Sequence, residues 1–165
     1  MSGNSLSVGK LSPERLRQLV FTRLGASDAR IILGPNIGED ATVIDFKDRA
    51  LVVHSDPITG AIENIGWLAV NVCTNDIATR GVRPLWILTV LLLPENVSSA
   101  QVKHITSQID EAARELNVAV IGGHSEVTAG IQRPIIVTTA IGETEKDSFV
   151  RTSGARVGDT IIVTK

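Results

Sequence analysis

The chain has 165 residues, 43% of them hydrophobic and 21% charged, with a formal net charge of −2. That is enough ordinary globular sequence for one sizeable core, and the scattered lysines and arginines give no electrostatic footprint for nucleic acid. The lone Cys73 excludes an internal disulfide framework or cysteine zinc site, no cleavable signal pattern opens the chain, and the longest apolar run, Leu85 to Leu93, is too short to cross a bilayer. The expectation is a cytoplasmic protein away from membranes.

Residues 1–11 are small and polar without a hydrophobic period, which reads as a flexible segment ahead of one domain over 12–165. Ser12 as N-cap, Pro13 at the first helical position, and Leu16, Leu19, Val20 and Leu24 at helical spacing predict a helix stopped by Gly25. Thr42 to Phe46 and Ala50 to Ser55 read as a hairpin across Lys47, Asp48 and Arg49, leaving Asp56 at a strand end. Asn64 to Arg80 is helical, with Asn71 and Asn75 on one face at i, i+4 and Asp76 beside them, and Gly81 closes it. Leu85 to Leu93 is a buried strand. Ser98 or Ser99 then caps a second long helix carrying Val102, Ile105, Ile109, Ala112 and Leu116. Val118 to Ile121, Ile135 to Gly142 and Thr160 to Thr164 read as strands, the last after a turn at Gly158 and Asp159.

Strands alternating with two long helices predict an α/β (α+β) fold, a mixed sheet covered by helices on one face. Val52, Leu91, Val120, Ile136 and Val163 lie in strands too apolar for a single helical layer to hide both faces. A second domain or a second copy of the chain is expected on the other face.

Four segments carry the chemistry: GEDA at Gly38 to Ala41, SDPITG at Ser55 to Gly60, NVCTND at Asn71 to Asp76, and GGHSE at Gly122 to Glu126. Carboxylates beside glycine, spread over a small domain, point to a hard cation and a phosphate. Asp40 is either a turn-stabilising residue or a ligand, and Glu39 is the weaker candidate of the pair. Asp56, held extended by Pro57, either ends a strand or supplies an oxygen ligand. Asp76, an acid on the buried side of a helix, needs a charged or metal partner. Asn71 and Asn75 serve equally well to satisfy neighbouring backbone groups. The Gly122-Gly123 pair permits close approach to a nucleotide, although a plain strand-to-loop turn explains it as well. His54 and His104 read as structural or exposed, and Thr59 with Gly60 as a turn. No triad, activated cysteine or Schiff-base lysine is apparent.

The ordered set GEDA, SDP, NxxTNDIATRGVRP and GGHSEVT resembles the ATP-binding N-terminal domain shared by aminoimidazole ribonucleotide synthetase, selenophosphate synthetase, thiamine-monophosphate kinase and the hydrogenase maturation protein HypE. The resemblance runs from Leu11 to Lys165, and VRTSGARVGDTIIVTK looks most like the HypE-like or synthetase-related branch, whose C-terminal domain does not follow here. It implies magnesium held by Asp40, Asp56 and Asp76, ATP contacts from Asn75, Gly122, Gly123 and position 124, and a homodimer whose sheets pair into a barrel-like core. The implied chemistry is phosphorylation of a substrate oxygen, with the chain alone binding ATP but turning nothing over. His124 departs from the acid of the more familiar members, and neutral imidazole is a poor magnesium ligand. Glu126, two residues on along a strand, supplies the missing carboxylate in this reading. A non-catalytic dimerisation module and a metal-dependent phosphohydrolase are the alternatives.

Overall fold

The computed structural model describes residues 6–163; positions 1–5 of the expected flexible segment and Thr164 of the expected last strand lie outside them. Six strands form one sheet: β1 (Ile31–Leu33), β2 (Thr42–Phe46), β3 (Arg49–Ile58), β4 (Pro84–Leu93), β5 (Ala119–Val127) and β6 (Ile135–Glu145), in the order β1-β2-β3-β6-β4-β5. Only β4 and β5 run parallel, joined by the long crossover that a parallel pair requires; the other pairs are antiparallel.

The expected α/β architecture is present. Helix α1 is short (Pro13–Arg15) and runs into a π-helical stretch at Leu16–Val20, whereas α2 (Ile65–Ala78) and α3 (Ser99–Leu116) are long. Helix α2 lies against β3, β6 and β4 and is backed by α3. Its inward residues Ile65, Ala69, Val70, Cys73 and Ile77 meet Val52, Ile87, Leu91, Ile136 and Ala140 in one core. Burial alternates along β4 and β6, so one sheet face is sealed by α2 while Leu88, Val90, Leu92, Val137 and Ile141 on the other are only half-buried. That leaves the second face open to a further layer, as its apolar composition predicts.

Local chemistry fixes the helix ends. Ser98 accepts from the Gln101 amide while the Gln101 side chain accepts from the Ser98 amide, a reciprocal capping box, and Asn117 closes α3 in the left-handed conformation. At α1, Ser12 caps as expected, but the helix does not continue to Leu24. Leu19, Val20 and Leu24 are 45%, 40% and 54% exposed, and an apolar stripe without a surface to bury it cannot sustain a short helix.

Three strand expectations are corrected. β3 does not stop at Ser55 but continues through Asp56 and Pro57, which is possible because β2 ends opposite Val53 and leaves a free edge for a residue lacking an amide hydrogen. β5 runs on to Val127, so Gly122 and Gly123 lie within a strand and not at a strand-to-loop turn. The stretch from Thr160 to Val163 forms no strand, and Ile161, Ile162 and Val163 are 81–91% exposed. β1 is an additional short strand, bonded to β2 through a register irregularity.

Close packing of the two long helices depends on Gly66, where a Cβ would fall 2.5 Å from the Ile105 carbonyl oxygen and 2.8 Å from the Gln108 Cβ. Denaturant unfolding should find Gly66→Ala destabilised by about 1–3 kcal/mol through overpacking, whereas Gly60→Ala, with nothing within 4 Å of the added carbon, stays close to the parent.

Candidate functional site

The early end of β2 makes a corner. Beyond it β3 carries His54 and Asp56, two residues apart and therefore on one face, and α2 crosses that face. Cys73 anchors the crossing: its thiol is 3.0 Å from the Thr138 carbonyl and 3.6 Å from that of His54. Burial pushes this thiol up to about 11, a value that fits a packing residue and not a nucleophile. Asp76, one helical step further, brings Oδ2 to 2.8 Å from His54 Nε2. His54, Asp56 and Asp76 each offer one ligand atom, all within 4.8 Å of one another.

The loop that leads into β2 completes the corner. His54 Nδ1 faces the Asp40 main-chain carbonyl, so this nitrogen carries the hydrogen and donates it. Nε2 is then left toward the carboxylates, near Asp76 but outside hydrogen-bonding alignment. An imidazole fixed by a carbonyl on one side and free on the other is the usual posture of a cation-binding histidine. Asp40 itself is exposed and lines a cleft of about 350 Å³ together with Leu16, Phe21, Pro35, Asn36 and His54. Thr138, wholly buried on β6 opposite Asp56, has a hydroxyl with no hydrogen-bond partner among the described residues.

Charge is unbalanced here. Burial raises the Asp76 carboxyl above its ordinary value; His54 opposes the rise, Asp40 and Asp56 reinforce it, and Lys10 opposes it more weakly. A cation among the three acids would relieve both the desolvation and the repulsion.

Of the residues expected from sequence, Asp56 and Asp76 therefore meet at one corner, and Asp40 lies in the adjoining loop, where its carbonyl contacts His54. Asn75 is exposed beside Asp76, and Asn71 turns its amide back to the Trp67 carbonyl at 3.0 Å, satisfying helix backbone. The GGHSE residues lie elsewhere in the chain's own sheet. Asp56 registers with Thr138, Thr138 with Thr89, and Thr89 with Gly123, so β5 lies three strands away, about 14 Å at ordinary strand spacing. His124 and Glu126 pair with Val90 and Leu92, on the face opposite His54 and Asp56. They do share a face: His124 Nε2 is 3.0 Å from Glu126 Oε2, and Thr128 donates to the other carboxylate oxygen at 2.8 Å. The hydrogen bond from His124, with that from Thr128, holds the Glu126 carboxyl below its usual range. Gly123 has a structural reason to be glycine, since its φ is +150° and a Cβ would lie 1.8 Å from the Thr89 carbonyl oxygen.

Three residues were not singled out from sequence. His54 read as structural or exposed, although its spacing of two from Asp56 on a strand is the signal that places both on one face. Arg80 and Thr152 join Glu39 in a buried ion pair and a hydroxyl bridge: Arg80 Nη1 is 2.6 Å from Glu39 Oε2, with side-chain exposures of 2% and 9%.

A mixed α/β domain with acids and an imidazole gathered at one end of its sheet defines a candidate cation- and phosphate-binding domain. The family model for the AIR synthase related protein, N-terminal domain matches residues 38–144, and the chain belongs to this family. It is 29% identical over 160 residues to a Methanocaldococcus jannaschii protein named for hydrogenase expression/formation, covering 94% of this chain and 48% of the relative. It is 28% identical over 160 residues to the selenide, water dikinase of Carboxydothermus hydrogenoformans, covering 94% and 46%. Among solved structures, AaThiL complexed with AMPPCP and TMP superposes with a TM-score of 0.66 at 28% identity, over 74% of this chain and 41% of that one. The chain thus spans less than half the length of these relatives. No helix among the described residues is long and apolar enough to cross a membrane.

The raised Asp76 carboxyl has a definite consequence for stability in the presence of chelator. Because the folded state holds this proton more tightly than the unfolded chain, stability attributable to Asp76 is greatest below the unfolded value of 3.8 and falls as pH rises through the folded one. Asp76→Asn should therefore melt a few degrees higher than the parent at neutral pH, with the gain shrinking as the pH of the thermal scan approaches 4. An unchanged or lower melting temperature at neutral pH contradicts the unbalanced charge.

Proposed function

We propose that the chain is the magnesium-ATP-binding domain of an ATP-dependent synthetase or kinase-like enzyme that phosphorylates a substrate oxygen. The observation that carries this reading is the meeting of Asp56, Asp76 and His54 beside the exposed Asp40 loop and its cleft. The paired carboxylates fit a divalent cation, since two acids of like charge held this close lose their mutual repulsion when one is bound. Asp56 and Asp76 are the residues that would hold magnesium, with Asp40 reaching it from the loop; bound there, the ion would neutralise phosphate charge and so polarise the transferred group.

The chain's own residues supply positioning. Pro57 and the β6 pairing keep Asp56 extended and fixed, α2 brings Asp76 down onto it, and the His54–Asp40 contact ties the loop to the strand. The cleft beside Asp40 offers space for the remainder of a nucleotide. The relative crystallised with AMPPCP, a methylene-bridged analogue of ATP, and the relative named as a dikinase support an ATP-dependent role. Acceptor recognition we assign to portions of a longer protein, because the relatives extend to about twice this length.

The half-buried sheet face supports a homodimer in which two such faces meet. Glu126, three strands from the acids and on the opposite face of its own sheet, would join the metal set only from a partner's chain.

Isothermal titration with ATP tests this reading. Binding should require magnesium and be lost by tenfold or more, about 1.4 kcal/mol, in Asp56→Ala and in Asp76→Ala. Sedimentation at micromolar concentration should show two chains. Equal affinity for ATP in the parent and in Asp76→Ala refutes the site, and magnesium-independent binding favours a non-catalytic module of the same fold. Steady ADP release by the chain alone, instead of binding without turnover, favours the phosphohydrolase.

A further inference from the structure

Arg80 is almost wholly buried, yet none of its side-chain hydrogen bonds goes to the helix or sheet around it. The guanidinium reaches only two segments. Nη1 pairs with Glu39 Oε2 at 2.6 Å in the loop before β2, and donates to the Thr152 hydroxyl at 3.0 Å and the Val150 carbonyl at 3.5 Å in the stretch that follows β6. Nε and Nη2 have no hydrogen-bond partner among the described residues. The Thr152 hydroxyl, accepting from Arg80, donates onward to Glu39 Oε2 at 2.9 Å, so its single hydrogen is spent on the loop. The Val150 amide also donates to the Arg80 carbonyl at 2.8 Å, and Phe149 packs against the core. Segment 149–152 is thus laid across the end of α2 and tied to the residue immediately preceding Asp40.

We propose that Arg80, Glu39 and Thr152 form a latch through which the position of segment 150–152 sets the position of Asp40. Arg80 and Glu39 are positioning residues: neither reaches the cation corner, but Glu39 adjoins Asp40, whose carbonyl in turn fixes His54. A displacement of Thr152 removes one acceptor from Arg80 and one donor from Glu39 together, and leaves the loop joined to the segment only indirectly, through Arg80 and Val150. A charged pair this deep is strongly bound to its remaining hydrogen bonds, because each lost partner leaves charge desolvated. The consequence is a coupling between the chain that follows the sheet and the site at the sheet's corner. The functional part of this inference rests on the cation reading above; the mechanical part does not.

The test uses Thr152→Val, which removes one hydroxyl from an exposed residue, with Thr152→Ser as rescue and thermal unfolding as the check on folding. Amide hydrogen exchange over 36–41 and Mn2+ binding followed by electron paramagnetic resonance are the two readouts. The latch predicts exchange at Glu39 about fivefold faster in Thr152→Val, the scale of losing one charge-assisted hydrogen bond. Mn2+ affinity should weaken by a similar factor, the melting temperature should hold to within about 3 °C, and Thr152→Ser should restore both readouts. Exchange over 36–41 that matches the parent in Thr152→Val overturns the latch, as does faster exchange spread evenly over the sheet. If the parent binds no Mn2+, the cation reading fails, and the exchange readout still decides whether segment and loop are coupled. Mn2+ affinity unchanged beside faster loop exchange overturns the claim that the latch acts on Asp40.

Discussion

The rest of the structure depends on one electrostatic constraint, the gathering of Asp56 and Asp76 at a half-buried corner beside the exposed Asp40, with no lysine or arginine paired to any of the three among the described residues. Burial and the two neighbouring acids both work against ionisation of Asp76. A folded chain tolerates such an arrangement only because the surrounding packing fixes it: α2 is held on the sheet by a largely apolar inner face and by the close approach of α3 at Gly66. Stability placed in the core is what allows an unfavourable cluster at its edge. The imidazole of His54, fixed by the Asp40 carbonyl, turns Nε2 to within 2.8 Å of the Asp76 carboxylate.

The sheet distributes function asymmetrically. On the sealed face, β3 and α2 present the acids; on the open face, β5 presents His124 and Glu126 to the space a second layer would occupy. Two clusters that motif order groups into one site therefore sit on opposite faces of the chain's own sheet and three strands apart. Within one chain Glu126 already has two partners, and the acid expected at position 124 is an imidazole. The open face gives the chain a reason to associate, and the edge strand β5 gives any partner a place to meet these residues.

Much of this was legible in the residues. Capping signals at Ser12 and Ser98 and glycine at position 81 follow from local rules, whereas β4, read as a buried strand, is sealed on alternate residues only. The grouping of Asp40, Asp56 and Asp76 was expected from motif order, because nothing in spacing alone brings positions 40, 56 and 76 together; Asp56 and Asp76 lie together with His54, and Asp40 is in the loop beside them. What escaped was tertiary. The first helix ended early for lack of a surface to cover Leu19 and Leu24, and β3 continued past Pro57 because its neighbour stopped first. Thr160 to Val163 has strand composition and no strand to pair with. The Glu39–Arg80 pair joins residues 41 positions apart, and Thr152 joins them from 72 positions further on, separations for which a single sequence carries no signal.

The most direct test is a crystal structure grown with magnesium and a nonhydrolysable ATP analogue. The account predicts a metal ion bonded at about 2.1 Å to carboxylate oxygens of Asp56 and Asp76, with the phosphates beside the Asp40 loop. A nucleotide bound at the Gly122-Gly123 strand of the same chain with the three acids left bare, or no nucleotide at saturating concentration, would contradict it.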